Sequence, residues 1–365
     1  MLLSPVGLTL DQLDSPALLL DLDAFEHNAA KMAGHLAERG IQWRPHSKAF
    51  KSPVIAHRLK CFGAIGVTVA KISEAEVMAQ GGIDDILIAH LVVGQSKVRR
   101  LAALQRIADV KATVDHIDQV GPISRAAIEA GTTVGLLVDV DLGMGRTGVT
   151  SPEAAVKLAR QVADAPGLRF DGVMGYEGHT VPMPDVVEKQ AAIVAAIGRL
   201  NLAREAVNAA GLPTRIVSAG GTGSYQVTAD LPGTTELQAG GGIFYCNYYS
   251  KVCQVVEHSP ALTVLTTVVS RPRPGRAILD AGLKSMSEHR TPPTVKGHPD
   301  YRVVGLSAEH ATVDLPEGAD PRIGEFLELI PGYSDLTFVL HDRVLAHRRG
   351  RVEASWPIAG RGMLQ

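Results

Sequence analysis

The sequence has few of the features that mark specialised classes of protein. Its 365 residues include three cysteines, Cys61, Cys246 and Cys253, and no CxxC pair. Three thiols cannot all form disulfides within one chain, so we expect a reducing compartment, the cytoplasm. The N-terminus lacks a basic segment, and no window reaches about 18 uncharged apolar residues, so we expect neither a signal peptide nor a membrane partner.

Long blocks of one charge are also missing. The chain has 36 Lys and Arg against 38 Asp and Glu, which gives a formal net charge of -2. The densest basic cluster, Arg348, Arg349 and Arg351, is typical of a solvated hairpin turn. A nucleic-acid-binding surface needs a larger basic patch, and we therefore expect no nucleic-acid partner.

The length predicts two domains, because a single core stops growing at roughly 250–300 residues. Over residues 16–250, short aliphatic runs alternate with helical patterns, which is typical of βα units around a parallel sheet. The runs are ALLLDLD, IQWRPHS, AIGVTVAK, DDILIAH, VKATVDH, VGLLVDVD, FDGVMGYEG, RIVSAGG and TELQAGGG. We predict a (β/α)8 barrel of the TIM type, with an open doubly wound sheet as the alternative.

One helix of this region has clear ends. Thr150 or Ser151 can cap it, and Pro152 suits its first turn. Its apolar residues recur at helical spacing and predict one buried face, which consists of Ala155, Leu158, Ala159 and Val162.

After residue 250 the pattern changes to strand-like runs separated by turn signals, with hardly any helical periodicity. This predicts a mostly antiparallel β domain over residues 251–365, against which residues 1–15 pack.

Glycine-rich and polar stretches follow several strands of the predicted barrel, where the site of such a fold lies. The stretch SAGGTGSY, from Ser218 to Tyr225, offers backbone amides and hydroxyls to a phosphate, although a plain turn also favours these residues. Gly240, Gly241 and Gly242 add a second flexible backbone at the next strand end. Together the two stretches favour a cofactor that carries a phosphate.

Two lysines stand in RPHSKAFKSP, which follows the second strand. Lys48 comes directly after the strand, whereas Lys51 precedes a helix start and is expected nearer to solvent. A lysine at a barrel strand end, opposite a phosphate cradle, can bond covalently to pyridoxal phosphate. Without that cradle, both lysines would be read as solvated groups.

Two further strand ends carry candidates. Arg146 in DLGMGRTGV is either a partner of Asp139 or Asp141, or a donor to the phenolic oxygen of a pyridine ring. The stretch GYEGH offers His179, together with Tyr176 and Glu177, for proton transfer or cofactor contact.

These stretches together resemble the D-threonine aldolase and D-serine dehydratase-like family, whose barrel is of the alanine racemase type. The matching segments span both predicted domains: DSPALLLDLDAFEHN, RPHSKAFKSP, GVTVAKISEAEVMAQGG, VDLGMGRTG, SAGGTGSY, TELQAGGGIFY, LDAGLKSMS, AEHATVDL and RVEASWPIAGRG. The resemblance implies a fold type III pyridoxal phosphate enzyme and, from the family's dimers, a homodimer.

The resemblance also implies roles for single residues. Lys48 matches the lysine that bonds to the cofactor, Arg146 the arginine at its phenolic oxygen, and Gln238 the residue that faces the pyridine nitrogen. The other implied cofactor-binding residues are Tyr176, Ser218, Gly221, Thr222, Gly223, Gly240 and Gly241.

The chain departs from the family at two positions. Phe50 replaces a histidine in the lysine segment, and Tyr333 replaces the histidine of a C-terminal metal site in which Asp335 is kept. A phenol must ionise before it can bind a metal, so a divalent ion, Mn or Mg, is left open. Other polar residues of the β domain either compensate or form local hydrogen bonds, namely Glu309, His310, His341 and Asp342.

Two reactions remain on these residues. The first is a lyase that cleaves a β-hydroxy-D-amino acid to glycine and an aldehyde, or a dehydratase variant, with His179 or Tyr333 moving protons. The second is an amino-acid racemase or epimerase without a metal, in which Lys48 and Tyr333 are the two bases. A cofactor carrier of the same barrel is disfavoured, because such carriers lack the β domain.

Overall fold

A computed structural model of the protein describes residues 4–365. The chain divides into two compact units. The barrel unit comprises residues 33–48, 53–240 and 362–365, and the sheet unit comprises the residues up to 32, 49–52 and 241–361. Strands and helices are numbered in chain order through both units.

The barrel unit is built on eight parallel strands. These are β2 (Gln42–Trp43), β3 (Val67–Val69), β4 (Asp85–Leu91), β5 (Asp109–Val114), β6 (Val134–Val140), β7 (Leu168–Gly175), β8 (Ile216–Ala219) and β9 (Glu236–Leu237). They lie in the order β2-β9-β8-β7-β6-β5-β4-β3. Parallel bridges from Trp43 to Ala64 and from His46 to Thr68 join the two ends. The predicted (β/α)8 barrel is thereby confirmed, rather than the open sheet.

Helices alternate with these strands along the chain. They are α1 (Leu22–Ala37), α2 (Pro53–Lys60), α3 (Ile72–Gln80), α4 (Gln95–Leu104), α5 (Ile117–Ala130), α6 (Pro152–Asp164), α7 (Val186–Ala209), α8 (Tyr225–Thr228) and, in the sheet unit, α9 (Ser334–Phe338). The predicted ends of α6 are confirmed, because Ser151 is the N-cap, its hydroxyl accepts from Ala154 N–H at 3.2 Å, and Pro152 begins the helix. The four apolar residues predicted to form its inner face are buried.

Ion pairs fill the barrel at the end where the strands begin. Asp85 and Glu236 are the first residues of β4 and β9, and both accept from the buried guanidinium of Arg44, at 2.7 Å and 2.9 Å. Lys111 of β5 donates to Asp85 at 2.8 Å, and Arg169 of β7 donates to Asp171 at 2.6 Å. This end is the structural floor of the barrel, and the strand C-termini at the other end remain available for a site.

The sheet unit holds nine strands, which are antiparallel apart from one pair. They are β1 (Ala17–Asp21), β10 (Leu262–Arg273), β11 (Arg276–Leu279), β12 (Thr294–Val295), β13 (Arg302–Leu306), β14 (Ala311–Asp314), β15 (Phe326–Ile330), β16 (Arg343–Arg348) and β17 (Arg351–Pro357). The exception is β1, which runs parallel to β16. The predicted mostly antiparallel domain is confirmed.

The segment ALLLDLD was predicted as a barrel strand, and this prediction is wrong. As β1 it pairs instead with β10, with Ala17 opposite Leu265, and with β16, with Leu19 opposite Leu345. Three successive leucines of β1 are buried, and a continuous apolar run of this kind fits the interior of either sheet. The sequence-based boundary at residue 250 also differs from the structure, which groups residues 241–250 with the sheet unit.

Residues before β1 lie against the same sheet. Gly7 N–H donates to Val352 O at 2.8 Å, and Leu13 joins an apolar cluster with Leu19, Leu265 and Leu345. All three cysteines are free thiols. Over residues 4–365, no helix is long and apolar enough to cross a membrane.

Candidate active site

Lys48 presents its amine beyond the C-terminal end of β2. The chain leaves β2 and enters a single 3-10 turn, Ser47–Ala49, on which the Lys48 side chain is exposed. Its Nζ lies 6.0 Å from the ring centroid of Tyr176, the residue that follows β7. Two residues predicted from separate strand ends are thus brought together at one end of the barrel.

The backbone beneath Lys48 is held by a buried carboxylate. Glu74 of α3 accepts the Ser47 hydroxyl at 3.0 Å and the Ala70 N–H at 3.0 Å. The Lys48 N–H donates to Nδ1 of His46 at 3.3 Å. The turn is therefore fixed, while the lysine amine extends away from it.

Lys51 does not lie nearer to solvent than Lys48, as the sequence had suggested. Its side chain is 6% exposed, and its backbone has a φ of +50°, in the left-handed region. It belongs to the sheet unit, where its carbonyl accepts from Gly360 N–H at 2.7 Å. Lys51 therefore anchors the chain, and Lys48 is the accessible amine of the pair.

The turn after β8 is made of small residues beside Tyr176. Gly220 has a φ of +75°, which a residue with a Cβ adopts only with strain. A Cβ at Gly221 would lie 2.9 Å from Cε2 of Tyr176, closer than real Cβ atoms approach. Thr222 is buried, and Gly223 follows it. The amine of Lys48 and the backbone of Gly221 therefore lie next to the same ring.

Glu177 holds this turn from the interior, a role that the sequence did not predict. The fully buried carboxylate accepts Gly220 N–H at 3.2 Å, the Ser224 hydroxyl at 2.7 Å and the Thr228 hydroxyl at 2.7 Å. Side chains alternate along an extended chain, and this alternation separates Glu177 from Tyr176. That alternation, applied to GYEGH, could have identified the residue.

The next strand ends also meet through a buried pair. Nε2 of Gln238 donates to Oγ of Ser218 at 2.9 Å, and both side chains are buried. Two residues on, a Cβ at Gly240 would lie 2.6 Å from the carbonyl oxygen of His46. A glycine is required there for the chain after β9 to approach the segment that leads to Lys48.

Arg146 lies on an exposed loop that is folded around Asp141. The Asp141 carboxylate accepts from the backbone N–H groups of Gly143, Met144 and Gly145, at 2.9 to 3.2 Å. At the base of the loop, burial raises the pKa of Asp139 to about 6, and the charge of Arg146 opposes this rise. The loop geometry comes from the aspartate, and the guanidinium is left exposed.

His179 lies against the same loop. A Cβ at Gly143 would be 3.4 Å from Cε1 and Nε2 of the imidazole. Within the described chain, Nδ1 of His179 is buried without a hydrogen-bond partner. His179 is thus placed with the Arg146 loop, and Lys48 with Tyr176 and Gly221.

In the sheet unit, the structure brings Tyr333 and Asp335 together. Asp335 is 6% exposed, and its two oxygens accept from different phenols, Oδ1 from Tyr249 at 3.0 Å and Oδ2 from Tyr333 at 2.9 Å. Burial and the nearby Asp335 charge raise the pKa of Tyr249 well above its usual value of 10. The Tyr249 hydroxyl therefore keeps its proton and donates to the carboxylate.

The other departures and candidates of this unit have local roles. Phe50 is fully buried and packs against Phe244, with ring centroids 6.2 Å apart. His341 Nε2 lies 2.7 Å from the carbonyl oxygen of Ser285. The remaining candidates are exposed, Glu309 pairing with Lys284 at 3.1 Å, His310 lying at the surface and Asp342 pairing with Arg361.

A divalent metal does not fit this arrangement. Both oxygens of Asp335 are engaged by hydroxyl donors, and the position of the expected histidine is held by a phenol. Among residues 4–365, no group of three or more His, Cys, Asp or Glu side chains is placed to hold a metal ion.

Two family models match the chain, one for each part of the sequence. The alanine racemase N-terminal domain matches residues 20–247, and a serine dehydratase domain matches residues 261–347. A D-threonine aldolase of Arthrobacter sp. is 38% identical, over 98% of this chain and 95% of that protein. A 3-hydroxy-D-aspartate aldolase of Paracoccus denitrificans is 36% identical, over 98% and 94%.

Solved structures show the same relationship. The crystal structure of a D-threonine aldolase from Filomicrobium marinum gives a TM-score of 0.95 at 35% identity, over 99% of this chain and 100% of that one. The D-threo-3-hydroxyaspartate dehydratase from Delftia sp. HT23 gives 0.86 at 28% identity, over 96% and 98%, and a variant of a dehydratase of that name is known in a metal-free form. The chain therefore belongs to the D-threonine aldolase and D-serine dehydratase-like family, lyases with an alanine racemase-type barrel.

Proposed function

We propose that the protein is a pyridoxal phosphate-dependent lyase that cleaves a β-hydroxy-D-amino acid to glycine and an aldehyde, or eliminates the hydroxyl group as a dehydratase. The observation that carries the proposal is the placement of the Lys48 amine and the Gly221 turn beside one ring, Tyr176, at the C-terminal end of the barrel. The aldolases and the dehydratase among its relatives support this reaction class.

The barrel unit offers a fitting set of residues for pyridoxal phosphate. Lys48 would bond to it covalently, and Arg146 would donate to its phenolic oxygen. The missing side chain at Gly221, where a Cβ would strike Tyr176, leaves backbone open to a phosphate. The further residues proposed to hold the cofactor are Tyr176, Ser218, Thr222, Gly223, Gln238, Gly240 and Gly241. When bound, the ring delocalises the electron pair that Cα keeps as its bond to Cβ breaks.

Gln238 would tune that chemistry. Its amide is neutral and already donates to Ser218, so it cannot supply the negative charge that would keep a pyridine nitrogen protonated. The ring would then be a weaker electron sink than one that faces a carboxylate. Retro-aldol cleavage and β-elimination tolerate this, since each needs a carbanion only briefly.

Proton transfer falls to His179 and Tyr333 in this proposal. As the Cα–Cβ bond breaks, the substrate's β-hydroxyl must lose its proton, and Cα must gain one to give glycine. An imidazole exchanges protons near neutral pH, and the Tyr333 phenol is already hydrogen-bonded to a carboxylate. We assign these transfers to the two side chains without ordering them.

The test is an assay of the purified holoenzyme with D-threonine, 3-hydroxy-D-aspartate, D-serine and both alanine enantiomers. We expect glycine and an aldehyde from the β-hydroxy substrates, or a keto acid and ammonia if elimination prevails. The Lys48→Ala variant should fall to background and lose the visible absorbance of the lysine-bound cofactor, whereas Lys157→Ala, on the exposed face of α6, should match the wild type. Racemisation without any cleavage product would refute the lyase.

We also infer a cytoplasmic homodimer. The three free thiols support a reducing compartment, and the family resemblance supports the dimer. Light scattering coupled to gel filtration should give a mass near twice 38.6 kDa, and a mass of one chain would contradict it.

A further inference from the structure

The carboxylate of Asp335 is occupied from two sides by tyrosines of the sheet unit. We propose that this chain takes no divalent cation at Asp335, and that the hydroxyl groups of Tyr249 and Tyr333 stand where a relative's cation would be bound. A dehydratase of the same family is known in a metal-free form, so a metal belongs to the chemistry of that relative. Here the side chains available at the carboxylate argue against one.

The first argument is the count of lone pairs and protons at Asp335. The carboxylate accepts from Tyr249 at 3.0 Å through Oδ1 and from Tyr333 at 2.9 Å through Oδ2. A cation at either oxygen would displace a hydrogen bond to a charged acceptor, which is among the stronger bonds in a protein. A phenol coordinates a divalent ion only after losing its proton, and an unperturbed tyrosine keeps its proton to about pH 10.

The second argument is the rigid packing of the Tyr333 ring. Its centroid lies 4.9 Å from that of Tyr248, 5.9 Å from that of Tyr249 and 5.8 Å from that of His289. Aromatic contacts on several sides oppose the rotation that would expose Oδ2 to a cation. The neighbouring imidazole, His289, faces the Tyr333 ring, and so it is not paired with Asp335 as a second ligand.

The third argument is the charge around the cluster. The guanidinium of Arg290 lies 6.0 Å from the ring centroid of Tyr248, and its permanent positive charge repels a second cation. Asp335 is the carboxylate that these tyrosines surround, so a bound divalent ion would have one anionic ligand. Hard cations such as Mg²⁺ and Mn²⁺ are held by several oxygen ligands, which this cluster does not offer.

The inference deepens the proposed function and in that respect rests on it. A lyase of this chain would act on the substrate's β-hydroxyl through a phenol that is hydrogen-bonded to a carboxylate, with no Lewis acid bound to Asp335. A chelator should then leave its rate unchanged, and added Mn²⁺ should not raise it.

The experiment measures metal binding directly, so that it does not depend on turnover. The holoenzyme is titrated with Mn²⁺ and free Mn²⁺ is followed by electron paramagnetic resonance, for the wild type and for Tyr333→His, Tyr333→Phe and Leu336→His. The Tyr333→His variant creates a His and Asp pair two residues apart. Leu336→His adds an imidazole at an exposed neighbouring position and leaves both phenols in place.

We expect the wild type, Tyr333→Phe and Leu336→His to leave the Mn²⁺ signal unchanged at equimolar metal, and Tyr333→His to bind one Mn²⁺ per chain at least about tenfold more tightly. Tight binding of one Mn²⁺ by the wild type, lost in Asp335→Asn, would overturn the inference even if no variant folds. Wild-type activity that a chelator abolishes and Mn²⁺ restores would overturn it too. A protein without lyase activity that also binds no Mn²⁺ would refute the proposed function and leave the metal inference supported.

Discussion

At the scale of single residues, Glu177 governs the turn that carries Gly221. Its two oxygens receive one backbone N–H and two hydroxyls, all from residues 220–228. The Glu177→Gln variant keeps the shape but replaces one acceptor oxygen with an NH2 donor that faces other donors. A hydrogen bond to a charged group contributes about 1.5–3 kcal/mol, so we expect the affinity for pyridoxal phosphate to fall roughly 10- to 100-fold.

Absorbance titration of the apoprotein with pyridoxal phosphate measures this affinity. The matched control is Glu205→Gln, an exposed glutamate on α7 that pairs with its neighbour Arg204. The control should bind the cofactor like the wild type. An unchanged affinity in Glu177→Gln would show that the turn keeps its form without the carboxylate.

Residue positions were predictable where the sequence is local or the family resemblance reaches. Lys48 and Tyr176 were placed at strand ends from the βα pattern, and they do lie together. The Asp335 cluster could not be derived in this way, because Tyr249 is 86 residues from Asp335 in the chain. The burial of Lys51 also depends on a distant segment, that of Gly360.

At the scale of elements, helix caps and strand periodicity were read correctly, but the partner of a strand was not. Ser151 and Pro152 begin α6 through local hydrogen bonding and fixed φ, which a sequence displays directly. The apolar run of β1 carries no information about which of two sheets buries it, and it pairs with β10 and β16. Its assignment depends on tertiary packing that the pattern does not contain.

The ionic floor of the barrel is an element-scale feature whose removal should destabilise the fold. In the Arg44→Met variant, Glu236 and Asp85 would lose their buried cation, and breaking a buried pair costs about 3–5 kcal/mol. The control Arg99→Met removes an exposed pair with Glu129 and should cost at most about 1 kcal/mol. Urea unfolding gives both values, and equal losses for the two variants would contradict a structural role for the floor.

At the scale of the whole molecule, buried histidines make stability depend on pH. Burial lowers the pKa of His258 to about 4, and burial also lowers the pKa of His341 and of His347. Neither ring nitrogen of His347 has a hydrogen-bond partner in the described part of the chain. These side chains are neutral in the folded state, whereas an unfolded histidine takes up a proton below about pH 6.5. Acid therefore favours unfolding.

Asp139 acts in the opposite direction. Burial raises its pKa to about 6, so the folded state holds its proton where the unfolded chain has released it. The contribution of Asp139 is present in full below about pH 3.8 and is lost as the pH rises through 6. One aspartate cannot offset three histidines, and the net effect is a loss of stability as the pH falls from about 6.5 toward 4.

We therefore expect the free energy of unfolding to be lower at pH 4.5 than at pH 7.5, with His258 contributing most. The difference between a pKa of 6.5 and one of about 4 corresponds to about 3 kcal/mol at full effect. In the His258→Gln variant, which keeps a polar side chain beside Tyr245 but cannot titrate, that part of the pH dependence should vanish. Urea titrations at the two pH values measure it, with His116→Gln, an exposed histidine, as the control. If His258→Gln shows the same pH dependence as the wild type, the acid sensitivity must arise from other groups.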